Sequence, residues 1–244
     1  LTGLVADISV PSLRICNSAG EFLPKATLDG WYNTTGLLIH DGIGTTEMLH
    51  TFIAGRGQAI RPGATGQTIP GFEATVLDEA GHKAPVGEIG RLAVRGPTGC
   101  RYMANPDRQA SYAVNGWNLT GDSYLLDEDG YFWYQARTDD MIISAGYNIS
   151  GPEIEAVLME HRSVADCAVI ASPDPQRGQI VKAYIVPSEG HKPDGDLVQA
   201  LQDYVKSAIA PYKYPRAVEF IDALPRTATG KIQRFVLRQR ARSN

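Results

Sequence analysis

No stretch of the 244-residue chain approaches the roughly 18 consecutive apolar residues that a membrane-spanning helix needs. No secretory-leader pattern is visible in these residues. Cysteine is scarce: Cys16, Cys100 and Cys167 lie far apart and include no pair at metal-ligand spacing. A disulfide framework and a cysteine metal knuckle are therefore excluded, and the three read as reduced thiols of a cytoplasmic protein. Neither sign of charge dominates, with 23 basic against 27 acidic side chains. No global field then favours nucleic acid or an anionic membrane surface. An initiating methionine is also missing; a strand-like pattern starts at once from Leu1, and the expectation is a piece of a longer chain.

What is there centres on residues 135–155, QARTDDMIISAGYNISGPEIE. The adjacent carboxylates of Asp139 and Asp140 resist burial, since each would need its own partner, so this point reads as a solvated turn. Residues 141–143, MII, fit a short buried strand. Ser144, Ala145 and Gly146 then form a turn whose glycine lets backbone approach something closely. Ser150, Pro152 and Glu153 announce a helix, with a capping hydroxyl, a proline tolerated in the first turn and a glutamate three residues after the cap. Ile154, Val157, Leu158 and His161 continue it with helical spacing. By pattern alone this is a domain junction.

Upstream, residues 13–16 read as a buried strand emptying into the small-residue loop 17–21, NSAGE. Leaving a strand that way is how open α/β sheets build ligand crevices, and it is equally an ordinary connection. Residues 28–35 read as a helix and 36–40 as a second strand ending in the glycine loop 41–44, DGIG. Two such loops side by side would leave backbone N–H groups free for a phosphate or a purine edge. From about Gly66 short strands alternate with turns: 73–77, 89–94, 124–126 and 131–134, the pattern of a small barrel or curled antiparallel sheet. Between these hairpins NLTGD, 118–122, carries an aspartate that suits two hydroxyl donors or simply closes a turn.

Downstream, 164–170, 180–186 and 217–221 read as strands, and Asp196 as the cap of a helix bearing Leu197, Leu201, Val205 and Ile209. The basic loop LPRTATGK, 224–231, precedes a basic helix; on residues alone Lys231 is a solvated charge near a terminus.

Together these stretches resemble the adenylate-forming superfamily of acyl- and aryl-CoA synthetases, luciferases and peptide-synthetase adenylation domains. DGIGTTE is similar to its Thr-Glu motif, VGEIGRLAVRG to its barrel strand, NLTGD to its ribose motif, ARTDDMIISAGYNISGPEIE to its hinge and LPRTATGK to its catalytic-lysine motif. The combination of SAGEFLP, DGIGTTEMLH and SAGYNISGPEIE is most similar to the benzoate and 2-aminobenzoate–CoA ligase branch. The implied fold is α/β and α+β multidomain. Residues 1–138 would be the end of the large domain, with an α/β piece to about 60 and a β-barrel-like piece to 138; 139–244 would be a small mobile α+β domain.

The resemblance implies an ATP-dependent acid–CoA ligase that forms an acyl-adenylate and then transfers the acyl group to CoA. Gly20, Glu21, Asp41, Gly42 and Ile43 would hold adenine, Thr46 the α-phosphate, Asp122 and Arg137 the ribose, and Glu47 a Mg²⁺ ion. Lys231 would offset charge growing on the α-phosphate. Asp139 would be the hinge that replaces Lys231 by the CoA tunnel at Gly146 and Tyr147. Gly44, His50 and Thr51 would border the acid, a histidine there serving an ortho-amino group or filling space against a ring.

Three positions depart from the family pattern: Ala136 replaces a glycine, Asn148 a basic residue, and Phe22 a smaller one beside the adenine loop. The Ser/Thr/Gly-rich phosphate loop ending in lysine is absent, so the expected partner is a missing amino-terminal portion, and the chain alone is expected not to turn over. A medium-chain fatty acid–CoA ligase and a non-catalytic nucleotide-binding or interaction module are the alternatives. A carrier-loading adenylation domain is disfavoured, because nothing after Lys231 resembles a carrier.

Overall fold

The computed structural model describes residues 11–228 and 230–243. The strand-like start expected from Leu1, and Thr229 of the basic loop, lie outside the described residues. The chain divides into two compact units, Leu1–Thr138 and Asp139–Asn244.

The first unit holds two sheets. One runs β1 (Cys16–Ala19), β2 (Ile39–Gly44), β3 (Thr51–Ala54) and β4 (Gln67–Thr68) in that spatial order. β1 and β2 are parallel, as their connection through helix α1 (Lys25–Thr35) requires, and the other pairs are antiparallel. Gly36 ends α1 in the left-handed region at φ 71°, its N–H bonded to the Tyr32 carbonyl. The second sheet contains β5 (Glu73–Leu77), β6 (Ile89–Arg95), β7 (Ala113–Val114), β8 (Trp117–Leu126) and β9 (Phe132–Arg137), all antiparallel, with β8 pairing β6, β7 and β9. Helix α2 (Pro106–Tyr112) leads into β7, capped by Asn105, whose side chain accepts from the Arg108 N–H. Phe52 and Ile53 of β3 pack with Val76, Leu92, Tyr124 and Phe132 of the second sheet, and this shared core joins the two. Each such buried side chain contributes roughly 1.5–3 kcal/mol.

Three expectations for this unit are corrected. The first strand covers Cys16–Ala19, so Asn17, Ser18 and Ala19 are strand and not loop. Their ladder to β2, Cys16↔Ile39 through Ala19↔Gly42, holds them extended. Residues 41–44 likewise lie within β2, between β1 and β3, rather than in an open glycine loop. Glycine is used there for close strand approach: a Cβ on Gly42 would meet Thr51 Cγ2 at 3.0 Å and the Ile53 carbonyl at 3.1 Å. NLTGD is no turn between hairpins but part of the ten-residue β8, whose register with β9 shifts between Ser123 and Tyr124.

The second unit opens with a hairpin, β10 (Ile142–Ser144) and β11 (Tyr147–Ile149). Helix α3 (Gly151–Glu160) follows, capped by Ser150, whose hydroxyl accepts from the Glu153 N–H at 3.2 Å. β12 (Val164–Asp174) and β13 (Gly178–Pro187) pair antiparallel, and β14 (Ala217–Phe220) adds in parallel beside β13. Alternate residues of β12 face opposite ways. Cys167 and Val169 pack with Ile154 and Leu158 of α3 and with Leu201 and Val205 of helix α4 (Gly195–Ala208). Ala168 and Ile170 pack with Tyr184 and with Leu237 of helix α5 (Arg234–Ser243). The cap of α4 is Asp194 and not Asp196: its carboxylate accepts from the Leu197 N–H at 3.1 Å. Gly195 already has helical geometry, which leaves Asp196 inside the first turn.

Candidate active site

The carboxyl end of β1 lies beside the middle of β2, Ser18 opposite Asp41 and Ala19 opposite Gly42. Gly20 follows β1 at φ 91°, a conformation that favours glycine, and Glu21 beyond it is exposed. The Asp41 carboxyl is largely withdrawn from water, and its Oδ1 is buried with no hydrogen-bond partner among the described residues. Burial raises its pKa to about 7, against smaller opposing help from the Gly42 N–H and the Ser18 hydroxyl. A buried oxygen left unmatched is costly, which makes this atom a ready acceptor for a ligand's N–H. Phe22 stacks on Tyr134 of β9, with ring centroids 6.0 Å apart, so its bulk is used in packing.

After β2 the chain turns through 45–48, with the Thr45 carbonyl and hydroxyl both receiving the Met48 N–H at 3.2 Å. Thr46 is exposed on this turn. Glu47 accepts a 2.6 Å hydrogen bond from the Tyr102 hydroxyl, and Arg108 Nη2 lies 3.8 Å from the same oxygen, Oε1. The Tyr102 bond is the main cause holding the Glu47 carboxyl below its ordinary pKa, with the nearby Arg108 charge adding to it. Among the described residues no group of three His, Cys, Asp or Glu is arranged around a metal ion. A single ionised carboxylate fits an ion such as Mg²⁺ that brings phosphate oxygens with it.

Gly44 pairs with Thr51, and a Cβ at Gly44 would lie 2.5 Å from the His50 carbonyl, so the chain passes close here. The His50 ring is exposed and stacks on Phe72 at 6.1 Å. Gly44, His50 and Thr51 thus come together around the start of β3. On the neighbouring sheet Asp122 and Arg137 are direct cross-strand partners of β8 and β9. Asp122 is buried, its Oδ1 accepting from Arg137 Nη1 at 3.1 Å, while the Thr120 carbonyl receives the same nitrogen at 3.4 Å. Ala136, two residues after Tyr134 on β9, is fully buried.

On the second unit, Ala145 and Gly146 form the two-residue turn of the β10–β11 hairpin at φ 50° and 84°, the positive pair that such a turn needs. No atom lies within 4 Å of a Cβ placed on Gly146, so the turn is open on that side. Tyr147 is exposed and stacks on Tyr212 at 4.5 Å, and Asn148 beside it is exposed as well. Asp139 is exposed, and the adjacent Asp140 is paired with Arg238 of α5. Lys231 sits in a closed loop: its N–H donates to Thr227 Oγ1 at 3.1 Å and its carbonyl receives the Thr227 N–H at 2.8 Å. Arg226 ties that loop down, donating to the Gly230 carbonyl at 2.7 Å and to Asp166 at 2.6 Å.

Two sets of residues here were not singled out by sequence reasoning. Tyr102 and Arg108 reach Glu47 across 55 and 61 positions, and no local spacing marks them. Arg234 Nη2 donates to both oxygens of Glu155, at 2.8 and 2.7 Å; the only signal was that each sits in a quoted motif or just past it. Glu153, read as half of a capping box, instead gives its carboxylate to Lys213 at 2.7 Å.

Comparison with known proteins places these features in context. The family described as AMP-binding enzyme matches residues 4–102, and the AMP-binding enzyme C-terminal domain matches 153–231. The mouse (Mus musculus) protein acyl-coenzyme A synthetase ACSM3, mitochondrial, is 43% identical over 237 residues, covering 94% of this chain and 41% of its own length. The crystal structure of the anthranilate CoA ligase AuaEII with anthranoyl-AMP superposes at TM-score 0.90, with 40% identity, over 99% of this chain and 47% of that one. A benzoate CoA ligase from Burkholderia xenovorans LB400 superposes at 0.86, also with 40% identity, over 96% of this chain and 46% of that one. The chain spans less than half the length of each of these relatives.

Proposed function

Because the chain belongs to the adenylate-forming, AMP-binding superfamily, we propose that it carries the nucleotide- and acid-facing residues of an AMP-forming acid–CoA ligase. The observation that carries this reading is the Asp41 Oδ1, buried and without a partner among the described residues, on β2 beside the carboxyl end of the parallel strand β1. An adenine amine supplies the N–H that this atom lacks, and Gly20, Glu21, Gly42 and Ile43 supply the backbone around it. Thr46 takes the α-phosphate. Asp122, already oriented by Arg137, accepts the ribose hydroxyls. A divalent cation at Glu47, when bound, would neutralise phosphate charge.

The chemistry has two halves. A carboxylate repels nucleophiles; joining it to AMP, with loss of pyrophosphate, gives a mixed anhydride that a CoA thiolate attacks, expelling AMP. Lys231 supplies positive charge in the first half, where it grows on the phosphate. Gly146 and Tyr147 border the thiol path in the second, with Asp139 as the pivot of the exchange. No transmembrane-length apolar helix is found among the described residues, and the three free cysteines suit a reducing compartment such as the cytoplasm.

The acid is aromatic, of the benzoate or 2-aminobenzoate type, bordered by Gly44, His50 and Thr51. Two structural relatives that act on such acids support this, as does a histidine held against Phe72 with its ring edge exposed. A medium-chain fatty acid is the second reading, favoured by the ACSM3 relative at 43% identity. A pyrophosphate-release assay of the complete gene product with ATP, CoA and a panel of benzoates, aminobenzoates and fatty acids separates them. Thioester formed from aryl acids upholds the first reading and from fatty acids alone the second; release with no acid at all defeats both.

A further inference from the structure

The Glu47 carboxylate is held mainly by residues outside the turn that carries it, with smaller help from the Thr45 hydroxyl and its own backbone N–H. Tyr102 donates its hydroxyl to Oε1 at 2.6 Å. The tyrosine is itself gripped on three sides. Its N–H donates to Gln109 Oε1 at 2.8 Å, the Arg108 guanidinium lies 4.2 Å over its ring, and Tyr112 meets that ring edge-on at 5.5 Å. All three gripping residues belong to α2, and Tyr112 also donates to the Sδ of Met48, the residue after Glu47. α2 and the loop before it therefore close as a clamp on the 45–48 turn.

Both polar contacts of the clamp fall on one carboxylate oxygen, Oε1. A short O–H···O bond fixes the plane of the carboxylate, and since both clamp contacts fall on Oε1 the other oxygen is the one a cation would take. We propose that Tyr102 is the positioning residue of Glu47, orienting it toward a divalent cation that arrives on nucleotide phosphates, with Arg108 and Gln109 holding the tyrosine in place. This rests on the nucleotide reading above and extends it to a residue that touches neither nucleotide nor cation.

The test is Mn²⁺ binding, read by electron paramagnetic resonance, to the complete gene product saturated with a non-hydrolysable ATP analogue. Tyr102→Phe keeps the ring and removes the hydroxyl. It should raise the half-saturating Mn²⁺ concentration about tenfold or more, the usual effect of losing a residue that orients a metal ligand. Affinity for the analogue in EDTA, and the urea unfolding midpoint, should match the unsubstituted protein; Tyr32→Phe on α1 should change none of the three. Gln109→Met, which frees the Tyr102 backbone, is the second variant and should shift Mn²⁺ binding in the same direction. If neither variant moves the Mn²⁺ dependence, or both weaken analogue binding equally without metal, Tyr102 only packs and the proposal fails while the nucleotide reading stands. If the unsubstituted protein shows no nucleotide-dependent Mn²⁺ binding, both fail together.

Discussion

Asp122 and Arg137 face each other across the β8–β9 ladder, and the buried carboxylate leans on a guanidinium that is about half exposed, at 49%. The Gly121 bend is shaped to this pair: a Cβ there would meet Arg137 Nη2 at 2.8 Å, and the glycine has φ 80°.

Removing the arginine takes a charged partner from a carboxylate buried in the sheet. Because Arg137 is partly solvated, the loss is smaller than for a fully buried pair. Arg137→Ala should lower stability by about 1 kcal/mol, between the values for exposed and buried pairs. A shift of the urea midpoint checks this, and Arg137→Lys should recover part of it. AMP affinity should fall with Asp122→Asn even where the fold is intact.

Asp41 makes the first unit's stability depend on pH. Its folded pKa is raised from the ordinary value of 3.8 to about 7, so between those values the folded state binds more protons than the unfolded one. Stability contributed by this group is therefore present at low pH and lost as pH climbs through about 7. Asp41→Asn should flatten that decline and make the protein more stable than the parent at pH 8. Chemical denaturation at several pH values reads it directly. An unchanged slope would mean the carboxyl is better solvated than its neighbours suggest.

The Glu155–Arg234 pair bridges α3 and the start of α5, with the side chains only 15% and 19% exposed. Burial pushes the Glu155 pKa up, and Arg234 together with the Val169 N–H pulls it back. Arg234→Met should destabilise the second unit by about 3–5 kcal/mol, since an uncompensated charge stays behind. The double variant Glu155→Leu, Arg234→Met should recover most of that. A double-variant cycle on unfolding free energy checks it; additive losses would show that the two are not coupled.

Lys231 is exposed and its backbone is bonded to Thr227, contacts that an alanine there would keep. In the complete gene product, Lys231→Ala should slow acyl-adenylate formation by about a hundredfold or more, as loss of one transition-state donor typically does. Thioester formation from supplied acyl-adenylate should be nearly unaffected. Equal loss in both half-reactions removes the lysine from its assigned role.

Asp139→Pro should have the opposite profile. Proline locks its own φ and restricts Thr138 before it, which stiffens a pivot without touching the nucleotide residues. Adenylation should persist and CoA-dependent turnover should drop. Single-turnover assays of each half distinguish this from general damage.

Much of the chain was legible locally. Ser150 as the cap of α3, the Ala145–Gly146 turn and the alternating strands of both units depend on neighbours a few residues away, and periodicity reports such neighbours. The misassigned loops share one cause, distinct from the two-residue slip that placed the α4 cap at Asp196 rather than Asp194. Residues 17–19, 41–44 and 118–122 are rich in small and polar side chains and look like loops, yet each is strand because partners on both sides or across the ladder supply its hydrogen bonds.

The order of the motifs, and the residue types available for chemistry at each, were determined by the sequence alone, because side-chain chemistry and short-range backbone preference are written there position by position. Tertiary structure decided which of those groups lack a partner and which are held. The Asp41 oxygen is orphaned by the registration of three strands, and Glu47 is gripped by a tyrosine 55 residues away. Desolvation and long-range hydrogen bonding arise only when distant segments pack together, so no window along the chain contains them.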